Sequence, residues 1–124
     1  MRSKESGQAL VILLIFIAVT VIVITVAVVL IIVTSSGASS YEQSNMAYNI
    51  AETGAENAIL RLLRDPTYTG ETLTVDTGTA TITVTGSGTQ TVTSVGRYNT
   101  YLRKIQVVLL SDDVETIQSW TEVY

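Results

Sequence analysis

The chain contains no cysteine and no histidine, one proline, one tryptophan and one phenylalanine. Without Cys or His, it cannot build a Ser-His-Asp or Cys-His catalytic site, or the common zinc sites, from its own side chains. No disulfide can staple it, so an exported part must draw its stability from packing on a helix or on other subunits. Charge is also scarce: 15% of residues are charged, 7 Lys and Arg against 11 Asp and Glu, for a net charge of -4. So few cations leave no electrostatic footprint for nucleic acid, and no nucleic-acid partner is expected. There is no Asn-x-Ser/Thr sequon either.

What the chain has is apolar length. From Ala9 to Val33, twenty-five residues run without charge, Gly or Pro, interrupted only by Thr20 and Thr25. A helix rising about 1.5 Å per residue would reach roughly 37 Å here, more than the ~30 Å hydrocarbon core, so the segment predicts a membrane span with tilt to spare. Arg2, Lys4 and Glu5 precede it, and the next charge is Glu42. The positive-inside rule weighs Arg2 and Lys4, keeps the N-terminus cytoplasmic and sends the 91 residues after Val33 outward. A cleavable secretory signal is the alternative, with Ser36-Gly37-Ala38 as its small-residue cutting site. Such signals have apolar cores of about 7 to 15 residues, which favours a retained helix here.

Thr34 to Ser40 is a small, polar passage, readable as a flexible linker or as a weak spot within one long helix. Helical periodicity then resumes: Ala47, Ala51, Ala55, Ala58 and Leu62 form an apolar stripe that Met46, Ile50, Ile59 and Leu63 widen. Glu42, Glu52, Glu56, Asn57, Arg61 and Arg64 mark the opposite face, and Asp65-Pro66 ends the helix because a residue before proline resists the helical region. If continuous, Gln8 to Arg64 would be a rod of about 85 Å.

After Pro66 the pattern changes to thirteen Thr between Thr67 and Thr100, alternating with β-branched residues between glycine turns. Four strands are expected. Leu73-Thr74-Val75 precedes the Asp76-Thr77-Gly78 turn, with Gly78 free to take positive φ; Ala80, Ile82 and Val84 precede Gly86-Ser87-Gly88. Val92 and Val95 follow, then Ile105, Val107 and Leu109. Short connections predict an antiparallel meander with its apolar face on the helix stripe, and with Thr rows and Arg103 facing out. The tail from Asp112 to Tyr124 is ambiguous, and Trp120 to Tyr124 can add a final strand.

A short basic stretch ending in Gly7, an apolar helix starting at once, an amphipathic extension and a small sheet follow in that order. In this the chain resembles type IV pilin-like proteins, most of all the minor pilins and pseudopilins. The resemblance implies an α+β fold, a long N-terminal transmembrane-then-amphipathic helix packed on a small antiparallel β-sheet. It divides the chain into a leader (1–7), a membrane and filament-core half-helix (8–33), an amphipathic extracytoplasmic half-helix (34–65) and a sheet domain (66–124). It further implies that a prepilin peptidase cuts between Gly7 and Gln8, with Lys4 as the leader's recognition element and Gln8 as the N-methylation candidate. The expected partners are membrane lipid, other pilin-like subunits, the peptidase, and an assembly platform driven by an ATPase. No cofactor is implied. The chain would wait in the cytoplasmic membrane and end in a cell-surface filament.

Departures from the family pattern carry information. Most major pilins have glutamate at the fifth mature position, where it meets a neighbour's terminal amine; this chain has Ile12 there. Ile12 points to an initiating, capping or sparse subunit. Gln8 stands where many bacterial pilins have Phe or Met, and the usual C-terminal disulfide clamp is missing.

Other motifs have simpler readings. Asp76-Thr77-Gly78 matches the aspartic-protease triplet, but a protease needs two such aspartates sharing a proton, so a turn is the better account. Gly86-Ser87-Gly88 has no strand-to-helix junction to cradle phosphate. Asp112, Asp113 and Glu115 fall short of the six to eight oxygens that Ca²⁺ takes and read as a solvated acidic turn. Tyr98, Tyr101, Trp120 and Tyr124 can bind a surface or glycan, or pack at a sheet edge. The Thr rows can carry glycans, although β propensity accounts for them. The competing functions are a filament subunit, a monomeric membrane-anchored surface-binding or adhesion module and, far behind, a membrane-tethered hydrolase dependent on Asp76.

Overall fold

A computed structural model describes residues 2–110 and 116–124. One helix, α1, runs Arg2–Arg64 without interruption. The Thr34 to Ser40 passage is therefore helical; small residues there lower propensity without breaking the hydrogen-bond ladder. The helix stops where expected. The Asp65 N–H still donates to the Arg61 carbonyl (2.8 Å), but Pro66 has no N–H to continue. The Asp65 carboxylate then accepts from both the Thr67 N–H and hydroxyl, closing an Asx turn.

Five strands come after it: β1 (Gly70–Val75), β2 (Gly78–Thr85), β3 (Thr89–Tyr98), β4 (Tyr101–Leu110) and β5 (Ile117–Val123). They form one antiparallel meander in the order β1-β2-β3-β4-β5. The tail thus supplies a fifth strand. Two connections are two-residue turns, Asp76-Thr77 and Asn99-Thr100, between the paired ends Val75↔Gly78 and Tyr98↔Tyr101. Asp76 and Asn99 take the left-handed conformation (both φ 52°), whereas Gly78 does not. Short Asx side chains tolerate that region, so the glycine is released for another use.

The chain divides into two compact units, Met1–Ser39 and Ser40–Tyr124. In the second, the helix packs on the sheet. Ala47, Ala51, Ala55, Ala58 and Leu62 are wholly buried, facing Ala80, Ile82, Val92, Ile105, Val107 and Leu109. Ile50 joins them, but Met46 and Leu63 stay exposed, because the sheet covers a narrower arc of helix than the apolar residues span. Trp120 packs against this core from β5.

Side chains alternate along β3, so Val92, Ser94 and Gly96 take the inner face and Val95 the outer one. One expectation about facing is corrected. Arg103 does not face out: it shares the inner face with Ile105, donating from Nε to Ser44 Oγ of the helix (2.9 Å) and pairing with Glu122 (2.6 Å).

Candidate functional site

Small residues govern how closely α1 meets the sheet. A Cβ on Gly96 would collide with the Ala47 carbonyl oxygen and the Ala51 amide nitrogen, both backbone atoms, so helix and strand approach main chain to main chain. Gly54 makes the same concession on the helix side: a Cβ there would strike Ser94 Oγ and stand 2.8 Å from Ala80 Cβ. Ser94 Oγ is wholly buried and has no hydrogen-bond partner among the described residues. Sequence reasoning missed Gly54, Ser94 and Gly96. The available signal was that Val92, Ser94 and Gly96 recur every second residue, opposite an alanine stripe.

In the first unit the situation reverses. Every large apolar side chain from Leu10 to Val33 is 49–69% exposed, which leaves a wholly apolar helical surface for lipid or other helices to cover. The polar groups within it are satisfied internally. The Thr20 hydroxyl donates to the Phe16 carbonyl (2.8 Å), Thr25 to Val21 (2.8 Å) and Thr34 to Leu30 (2.9 Å). With backbone and hydroxyls all bonded inside the helix, transfer into hydrocarbon leaves no polar group unpaired. By length and composition, this helix can cross a membrane.

Lys4, Gly7, Gln8 and Ile12 all lie on the exposed early turns of α1. A Cβ on Gly7 would meet nothing within 4 Å. A mid-helix glycine costs about 1 kcal/mol relative to alanine, and no packing among the described residues requires one at Gly7. Ile12 is 61% exposed and indistinguishable in environment from its apolar neighbours. No family model, curated protein or solved structure matches the chain. The fold has the shape the resemblance implies, a long N-terminal helix with an antiparallel sheet.

Two polar clusters flank the helix in the sheet domain. At the β1 edge, Glu71 Oε1 accepts from Arg61 Nε (2.7 Å), the Tyr68 hydroxyl (3.0 Å) and Asn57 Nδ2 (3.3 Å). The Arg61 guanidinium also lies 5.8 Å from the Tyr68 ring centre. Burial, and then the bond to Glu71, push the Tyr68 phenol up to about 12. These groups border a cleft of about 390 Å³ lined by Asn57, Leu60, Arg61, Arg64, Asp65 and Tyr68. Its donors converge on one carboxylate oxygen, so the cluster ties β1 to α1 and offers no activated nucleophile.

The second cluster is that of Arg103, Ser44 and Glu122, with Tyr124 stacked 5.9 Å from the guanidinium. Asp76 lies in its exposed turn, and among the described residues no three His, Cys, Asp or Glu side chains group to hold a metal. Asp112, Asp113 and Glu115 lie outside the described residues. Tyr98, Tyr101 and Trp120 are half-buried, while Tyr124 is exposed.

Proposed function

We propose that the chain is a structural subunit of a type IV pilus or type II secretion-type filament, a minor pilin or pseudopilin in character. One observation carries this reading: a single unbroken helix joins an exposed, internally satisfied apolar half to an amphipathic half that anchors an antiparallel sheet. The apolar half is stable in lipid, and equally stable when several such helices bundle and hide one another. The membrane then acts as a reservoir, and assembly exchanges helix–lipid contact for helix–helix contact. Extraction needs an outside energy source, the role assigned to an ATPase acting through a membrane platform.

In this reading a prepilin peptidase cuts between Gly7 and Gln8. A glycine with no packing duty supports it, because a residue kept for a protease need serve nothing within the fold. Ile12 in place of the usual glutamate favours an initiating, capping or sparse subunit. The deciding experiment is the N-terminal mass of the membrane-extracted chain with and without co-expressed prepilin peptidase. A chain starting at Gln8 supports the filament reading, and Gly7→Asp must then block the shortening. A chain retaining Arg2 to Gly7 in the presence of the peptidase leaves a single-span anchored binding module as the better account.

A further inference from the structure

The sheet domain, Ser40–Tyr124, distributes its charge unevenly. Three of its five cations, Arg97, Arg103 and Lys104, gather at the end where α1 enters it. That end is located by Asn99, whose amide donates to Gln43 (3.1 Å), and by Arg103, which donates to Ser44 (2.9 Å). Glu42, Asp76 and Glu122 balance these cations, whereas among the described residues the remainder of the domain holds four acidic residues, Glu52, Glu56, Asp65 and Glu71, and two basic ones, Arg61 and Arg64. Arg97 and Lys104 are exposed and make no ion pair among the described residues.

Apolar groups accompany those two cations. The cross-strand pairs Arg97↔Leu102 and Val95↔Lys104 place them side by side on the outer face. Leu102 is 54% exposed and Tyr124 is 97% exposed. Beside them is a cleft of about 190 Å³ lined by Val95, Leu102, Arg103, Lys104, Val123 and Tyr124; the Arg103 guanidinium is turned to the inner face, on Ser44 and Glu122. Exposed Arg97 and Lys104 beside exposed Leu102 and Tyr124 have the chemistry of a membrane interface, where Lys and Arg reach phosphate while Tyr and Leu enter the headgroup level.

Chain length supplies an independent argument. Only residues 34–39 separate Val33 from Ser40, so however the two units are disposed, the start of the sheet domain lies within about 25 Å of chain from the end of the apolar run. We propose that the end bearing Arg97, Leu102, Lys104 and Tyr124 docks on the anionic phospholipid headgroups of the bilayer that holds the Ala9–Val33 helix. The proposal rests on the membrane reading of that helix. Docking shields the apolar cleft before assembly, while the acidic remainder of the domain is turned from the surface by charge.

The test uses the full chain at one copy per nanodisc, made of phosphatidylglycerol and phosphatidylcholine with a headgroup-bound nitroxide quencher. The absence of cysteine allows a single fluorophore at Thr100→Cys, in the turn of the docking end, or at Ser87→Cys, in the β2–β3 connection. The expected result is quenching at position 100 at least threefold that at position 87. It should fall severalfold in discs of phosphatidylcholine alone and in the Arg97→Glu, Lys104→Glu double variant. Both replaced side chains are exposed, and Trp120 fluorescence checks that the domain remains folded. Equal quenching at the two positions, or quenching indifferent to lipid charge and to the double variant, overturns the proposal and leaves the tether alone. A signal at position 100 that appears only with two copies per disc overturns it in favour of a subunit interface. A chain that does not enter the disc overturns the membrane reading as well.

Discussion

Replacing Gly96 with alanine should loosen the packing of the helix on the sheet. The added Cβ would be 2.9 Å from Ala51 Cβ and closer still to the Ala47 carbonyl oxygen and the Ala51 amide nitrogen. Ordinary contact begins near 3.4 Å, so the helix must withdraw by more than ~0.5 Å, enough to forfeit a quarter or more of each dispersion contact along the seam. The obstructing atoms are helix backbone, which cannot rotate aside as a flexible side chain can. Overpacking typically costs 1–3 kcal/mol, and this geometry belongs at the upper end, about 3 kcal/mol. For a domain of this size that corresponds to a fall in Tm of about 12 to 24 °C. The assay is thermal or denaturant unfolding of the full chain in detergent, followed by Trp120, which packs on the core. Gly37→Ala is the matched control, since its Cβ meets nothing within 4 Å and alanine should strengthen the helix there by up to ~1 kcal/mol. A Gly96→Ala protein as stable as wild type would refute the main-chain contact on which the fold account rests.

Ser94→Ala should leave stability unchanged or raise it by about 1 kcal/mol, because the buried hydroxyl has no partner to lose among the described residues; a clear loss in denaturant unfolding would mean that it is bonded after all. The raised phenol of Tyr68 sets a pH window: its contribution is fully present below the unfolded value of 10 and is lost as pH rises towards about 12. Stability measured across that range should therefore fall, and Tyr68→Phe should flatten this part of the slope. Removing the shared acceptor with Glu71→Ala should cost about 1–2 kcal/mol, read by the same unfolding assay, since three donors lose one oxygen.

Much of the architecture was legible because periodicity reports which face is apolar. The alanine stripe from Ala47 to Leu62 predicted the helix's buried side, and the Thr alternation predicted a meander with short connections. The helix end at Asp65-Pro66 followed from proline's missing N–H. The details left open or misplaced share a cause. Val95 and Val92 are equally β-branched, so composition cannot say which turns inward, whereas a separation of three residues forbids both from doing so. Arg103 read as an outward charge, yet alternation from Ile105 places it inside, where Ser44 and Glu122 satisfy it. The Glu71 cluster was invisible because it joins a helix to a strand across a turn, and no local pattern encodes that meeting.

The sequence by itself determined that residues 9–33 have no soluble partner within their own segment, that a helix runs up to Pro66, and that the chain beyond Pro66 is built of strands. These are properties of short-range chemistry: hydrophobic run length, helical and two-residue periods, and the geometry of proline. The tertiary structure alone decided how near the helix comes to the sheet and which side chains share the seam. Gly54, Ser94 and Gly96 acquire meaning only when α1 is laid across β2 and β3, because a close approach between two backbones depends on both at once.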